Sequence, residues 1–164
     1  MNLGVAPAIE VDGADGVSAY ASCVPYVWDE VQSTARADPR IVVLSDDAAH
    51  ELIERVRQRF VADANAVWWW ASLAQGSERL PYADPAVGAE LLRARIEGQP
   101  LVNLIVTDDE PEPLGVIAGP AEAIVDLLGK TPIFEFALTD PELRWLILDT
   151  HHNVLVLAGD VPPG

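Results

Sequence analysis

Five short apolar runs in the second half of the chain constrain its fold more than any other feature. They occupy residues 100–106, 114–119, 132–138, 144–149 and 153–159. Each run has the length of a β-strand and is too short for a typical helix. The last three runs are joined by short connectors, whereas parallel neighbours need a long crossover. We therefore predict antiparallel hairpins here.

Helical patterns surround these strands. Residues 45–60 predict the clearest helix: Ser45 can cap it, and apolar residues recur at three- and four-residue spacing after it. Residues 23–38, 84–96 and 120–129 also predict helices, and Asp84 can cap the second of these. Residues 40–45 predict a short buried strand, and residues 76–85 predict a loop. We predict an α+β fold with a mostly antiparallel sheet of five to six strands and helices packed on one face.

Length and composition predict the domain organisation. The 164 residues suit one domain. We expect a weakly ordered N-terminal arm over residues 1–22, a single domain over 23–160 and a short tail over 161–164. No apolar run approaches the roughly 20 residues that span a bilayer, and the first residues lack the features of a secretory signal. With a lone Cys23 that can form no internal disulfide, this favours a cytoplasmic location.

Charge is the strongest bulk signal for function. The chain carries 26 acidic and 10 basic residues, which give a formal net charge of −16. Such a field repels nucleic acid and anionic lipid, and it steers a basic protein partner inward. An alternative explanation is that the acidity supports solubility or reflects a salt-rich cytoplasm. No cofactor motif is present, and a monomer or a homodimer fits equally well.

The run "AVWWWASLA" at residues 66–74 contains three consecutive tryptophans. On a strand, Trp68 and Trp70 share one face and Trp69 takes the other, so all three cannot point the same way. The simplest interpretation is burial on both sides. The functional interpretation leaves one tryptophan for a partner, since aromatic residues are enriched among interface hot spots, and we take Trp69 as the candidate anchor.

The segment "DTHHN" at residues 149–153 holds adjacent histidines between two apolar runs. Asp and Asn are common in turns, so we predict a hairpin turn in which one histidine is hydrogen-bonded to a backbone carbonyl or a carboxylate. Adjacent histidines on a strand point to opposite faces and cannot easily share one metal.

An enzyme hypothesis competes with this interpretation. Three apolar runs end in acidic residues, and if those strands were parallel neighbours their carboxylates would gather at one edge and hold a divalent metal. The candidate ligands of such a metal-dependent hydrolase are Asp46, Asp108, Asp149 and His151. Against it, helical crossovers between the last strands are missing, and no phosphate-binding loop or catalytic motif is present.

The C-terminal segment resembles a known group of domains. Phe134-Glu135-Phe136, then Trp145, then the turn at residues 149–153 is similar to the C-terminal part of small bacterial domains found among immunity proteins of contact-dependent and polymorphic toxin systems. Those domains carry an "NHHD"-like turn where this chain reads "THHN". The resemblance covers roughly residues 114–159, and it implies a non-enzymatic α+β domain that neutralises a toxin.

The leading functional hypothesis is therefore an acidic protein-binding module that occludes a basic toxin or effector. The alternating pattern places Phe134 and Phe136 toward the core and Glu135 on the opposite face. That face is either open to solvent or part of the partner-binding surface. Candidate contact residues are Asp108, Asp109, Glu110, Glu112, Glu135, Asp149 and Trp69.

Overall fold

The computed structural model describes residues 27–63, 65–108 and 113–164, which form an α+β fold. The helices are α1 (Val27–Arg36), α2 (Asp46–Phe60), α3 (Pro85–Ile96) and α4 (Ala121–Leu128), with a single 3-10 turn at Trp69–Ala71. The strands are β1 (Val42–Val43), β2 (Ser77–Pro81), β3 (Val102–Val106), β4 (Gly115–Gly119), β5 (Phe136–Thr139), β6 (Trp145–Thr150) and β7 (Val154–Gly159). The predicted N-terminal arm lies outside the described residues.

All seven strands of this part of the chain join one antiparallel sheet, in the order β1-β4-β3-β5-β6-β7-β2. The hairpins β3–β4 and β6–β7 connect sequence neighbours, and β5 lies between them. This confirms the predicted α+β class and the antiparallel hairpins. The sheet is larger than the five to six strands expected from the sequence.

The additional strand is β2, within residues 76–85, where the sequence predicted a loop. Its five residues pair with β7 along their whole length, from Ser77 opposite Ala158 to Pro81 opposite Val154. Most of β2 is exposed, so its sequence lacks the apolar pattern that reveals a strand. Backbone hydrogen bonds to β7 hold it at the edge of the sheet, where a proline and charged side chains are tolerated.

Helices cover both faces of the sheet, so the prediction of a single covered face was wrong. On one face, α1, α3 and α4 pack with alternate strand residues such as Leu104, Leu138 and Ile147. On the other, α2 and Trp69 pack with the intervening residues such as Ile105, Ala137 and Leu148. The physical reason lies in the strands themselves: continuous apolar runs, unlike alternating ones, expose apolar side chains on both faces and require cover on each.

Local signals at the helix ends behave as the sequence indicates. The Ser45 hydroxyl caps α2 by accepting a hydrogen bond from the Ala48 amide at 3.4 Å. The Asp84 carboxylate caps α3 through the Ala86 and Val87 amides, at 3.0 and 3.2 Å. In the C-terminal tail, Val161 packs against the core cluster under α1, α3 and α4.

Gly159, which ends β7, provides a test of this packing. Its φ is +76°, and a Cβ there would overlap the carbonyl oxygen of Arg144. We expect Gly159→Ala to lower the free energy of unfolding by about 2 kcal/mol or more, through left-handed strain and steric overlap. Gly76→Ala is the control, because nothing lies within 4 Å of a Cβ there. Urea unfolding of both variants measures the difference, and equal effects would contradict the predicted strain.

Candidate functional site

The "DTHHN" segment forms the hairpin turn between β6 and β7, as predicted. Asn153 adopts a left-handed conformation with φ of 55°, which asparagine tolerates better than most residues. Its amide donates to the Thr150 carbonyl at 3.1 Å. The Thr150 hydroxyl donates to the Val154 carbonyl at 3.1 Å and accepts from the His152 amide at 3.3 Å. These contacts close a tight turn and present both histidine rings at the surface.

The buried side chain of Glu135 holds this turn through hydrogen bonds to His151. The residue is only 7 % exposed, and its Oε1 accepts two hydrogen bonds from His151, one from the backbone amide at 2.7 Å and one from the ring Nδ1 at 2.6 Å. Phe134 and Phe136 are buried among the α1, α3 and α4 contacts, as predicted. The sequence left two roles open for Glu135, an open solvent face or a partner-binding face. The structure shows instead a buried residue that fixes the turn, and one histidine does bond to a carboxylate as expected.

Trp68 and Trp70 pack beside the two histidines. Their rings stack with centroids 6.1 Å apart, and Trp70 meets His151 and His152 edge-on at 6.0 and 5.3 Å. The two imidazole rings lie 3.9 Å apart, and Trp68 lies 6.5 Å from His151. Trp68 is 49 % exposed and Trp70 is partly buried. We call these four residues the aromatic surface.

Trp69 is not part of this surface, which corrects the prediction that it is the exposed anchor. The 3-10 turn at Trp69–Ala71 directs its ring into the core, where it is 3 % exposed and packs with α2. The Arg57 guanidinium lies 5.6 Å from the Trp69 ring centroid. The sequence contained a signal for the correct choice, since Trp68 and Trp70 share a side in an extended segment while Trp69 takes the other.

Asp149 occupies a second polar position at the same end of β6. Its Oδ1 accepts a 2.7 Å hydrogen bond from the hydroxyl of Tyr82, the residue that follows β2. Burial raises the pKa of Asp149 to about 6; the Tyr82 and Thr150 hydrogen bonds act in the opposite direction, and the nearby charge of Glu135 adds to the increase. Burial and the bond to Asp149 likewise raise the pKa of the Tyr82 phenol well above its usual range. Sequence reasoning missed Tyr82, because β2 itself was not predicted.

The acidic loop after β3 begins next to Glu135. The backbone amides of Thr107 and Asp108 both donate to the Glu135 carbonyl at 3.1 Å. This places Asp108 at the end of the sheet that carries the histidine turn. The other predicted contact residues of this loop, Asp109, Glu110 and Glu112, lie outside the described residues.

The four ligands of the metal-hydrolase hypothesis do not come together. Across residues 27–63, 65–108 and 113–164, no group of three or more His, Cys, Asp or Glu side chains is arranged to hold a metal ion. The strands β1, β3 and β6 do run in the same direction, but β4 separates the first two and β5 the last two. Each such pair of strand ends is therefore about 10 Å apart, so the carboxylates are not gathered side by side at the edge as the hypothesis required.

Trp70 leaves a polar group unsatisfied within this site. In the described part of the chain, its Nε1 is buried without a hydrogen-bond acceptor. A buried donor without a partner costs roughly 1–3 kcal/mol. The stacking of Trp70 on Trp68 and its edge contacts with the histidines are therefore maintained against a local cost, and such tolerated costs often mark functional positions.

Fold and site together define the class of this protein: an α+β domain whose antiparallel sheet carries an aromatic and histidine surface at one end. No protein-family model, curated protein or solved structure matches the chain. Among the described residues, no helix is both long enough and apolar enough to cross a membrane.

The contact between Glu135 and His151 predicts a specific tautomer. An ionised carboxylate only accepts hydrogen bonds, so Nδ1 of His151 must carry the proton and leave Nε2 unprotonated in the neutral ring. Long-range ¹H–¹⁵N correlation spectra at pH 8 should show the Nδ1–H form for His151. His50, which is exposed on α2, is the internal comparison. A dominant Nε2–H form of His151 would contradict this geometry.

The raised pKa of Asp149 predicts a pH-dependent stability. The native state favours the protonated form of Asp149. The protein is therefore more stable when this acid is protonated, fully so below pH 3.8, and this added stability is lost as pH rises through about 6. Asp149→Asn keeps an acceptor for Tyr82 and removes the titration. Between pH 4 and pH 7, the wild type should lose about 2 kcal/mol of unfolding free energy relative to this variant. Urea unfolding at intervals across this range measures the loss, with Glu90→Gln as control, and parallel profiles for Asp149→Asn and wild type would refute it.

Proposed function

We propose that this protein is a non-enzymatic binding module of the immunity type, which occludes a basic toxin or effector in the bacterial cytoplasm. The observation that carries the proposal is the exposed Trp68, stacked on Trp70 beside a histidine turn and next to the start of an acidic loop. Aromatic anchors of this kind dominate binding energy at protein interfaces. The resemblance of residues 114–159 to immunity-type domains supports the same direction.

In this proposal, charge attraction and aromatic contact contribute to different steps of binding. The net charge of −16 attracts a basic surface and accelerates encounter, and we take Asp108, Asp109, Glu110 and Glu112 as the contact acids of this loop. The aromatic surface then supplies short-range contact area that slows dissociation. Occlusion requires no chemistry: the bound module covers the working face of its partner.

Glu135 and Asp149 have supporting roles in this mechanism. Glu135 fixes the orientation of His151 through two hydrogen bonds, and Asp149 ties the end of β6 to Tyr82. Both carboxylates are mostly sheltered, so in this proposal long-range attraction comes chiefly from the other acidic residues of the chain. Their contribution is a preorganised surface, which lowers the entropic cost of binding.

Charge steering predicts a salt-dependent association with cationic chains. Nona-arginine and nona-lysine peptides should both bind, and their association rate constants should fall about tenfold or more between low and physiological ionic strength. Stopped-flow tryptophan fluorescence measures the rates. The combined variant Asp109→Asn, Glu110→Gln, Glu112→Gln should slow association with both peptides.

A charge-matched control separates a local site from bulk acidity. The variant Asp29→Asn, Glu90→Gln, Glu97→Gln changes net charge equally, at exposed positions on or next to α1 and α3. It should slow association less than the loop variant does. Equal slowing would show that acidity acts only in bulk. No binding, together with stability that increases strongly in molar salt, would support salt adaptation instead.

A further inference from the structure

One oxygen of the Glu135 carboxylate is not used by the turn. Both hydrogen bonds from His151 end on Oε1. In the described part of the chain, no hydrogen bond reaches Oε2. This oxygen is also not sealed from solvent. A side chain that is more than nine-tenths buried therefore retains an accessible acceptor beneath the histidine turn. Such an acceptor is suited to a donor supplied from outside the chain.

Aromatic rings surround the histidine that this carboxylate holds. The ring of His151, which Glu135 holds at 2.6 Å, lies 6.0 Å from Trp70 and 6.5 Å from Trp68. A cation over an indole face is attracted by the negative potential of the ring, and tryptophan is the strongest aromatic partner for this contact. Carboxylate and indole, which both contact His151, thus offer two different attractions to a positive group.

Arginine fits this combination better than lysine. Its guanidinium is planar, so it can lie on an aromatic face while its edge donates hydrogen bonds to a carboxylate. A lysine ammonium is a compact, strongly hydrated charge that cannot stack. Anions are disfavoured by Glu135, Asp149 and the net charge of −16. A neutral aromatic ligand would leave the carboxylate without a partner.

We propose that Trp68, Trp70 and Glu135 form a subsite for an arginine side chain of the basic partner. This inference rests on the proposed binding function and adds to it the residue type that the partner presents. The guanidinium stacks on the exposed face of Trp68 and donates to Oε2 of Glu135. His151 keeps Oε1 occupied and thereby directs the remaining oxygen toward the ligand.

The test compares equilibrium affinities for nona-arginine and nona-lysine at pH 8. Wild-type protein should bind the arginine peptide about tenfold more tightly, since stacking and a charge-assisted hydrogen bond add to the shared charge attraction. Glu135→Gln and, separately, Trp68→Ala should reduce this ratio to about one. Trp68 is exposed, so its replacement leaves the core intact and keeps the test meaningful if Glu135→Gln disturbs the turn.

Two controls distinguish this subsite from general charge attraction. Glu90→Gln removes one exposed charge far from the site and should leave the ratio unchanged, and the acidic-loop variant should weaken both peptides in proportion. If both peptides bind with equal affinity to the wild type, the arginine subsite is refuted while the binding function stands. If neither peptide binds, the proposed function itself fails. Retention of the tenfold ratio in Trp68→Ala would also overturn the subsite.

Discussion

Two-sided burial of the central strands is the constraint on which the rest of this structure depends. The runs that form β3, β5 and β6 are apolar at both odd and even positions, and nearly every residue in them is buried. A sheet of this kind cannot leave either face in water, because the exposed apolar area would be too large. The helices α1, α3 and α4 therefore cover one face, and α2 with Trp69 covers the other.

Because the middle of the sheet is apolar on both faces, the carboxylates of the candidate site lie at the strand ends. Glu135 directly precedes β5 and Asp149 lies near the end of β6. Both carboxylates remain largely sheltered, and each has a specific donor: His151 for Glu135 and Tyr82 for Asp149. Their environments differ in effect, since desolvation raises the pKa of Asp149 while Glu135 serves as the acceptor that organises a turn. The site is thus a consequence of how the sheet ends.

Sequence reasoning succeeded where the relevant interactions are local. The apolar runs predicted six of the seven strands that the structure describes. The capping residues Ser45 and Asp84 marked the starts of two helices, and the turn-forming residues indicated the histidine hairpin. It failed for β2, whose exposed residues carry no pattern because only backbone pairing with β7 defines the strand. The metal-ligand set failed for a different reason: strand order is a long-range property, and inserting β4 and β5 between the acidic strand ends separates them.

The tryptophan run shows why the site was harder to predict than the fold. The sequence indicates that the three rings must divide between two sides, but which side meets the core depends on a single 3-10 turn and on the position of α2. Burying Trp69 leaves Trp68 and Trp70 on the outer side, beside histidines that are far away in sequence. Acidity alone attracts basic molecules without discrimination. In the proposed function, this pair of rings, placed against the turn held by Glu135, gives the acidic protein a location where an arginine side chain is recognised.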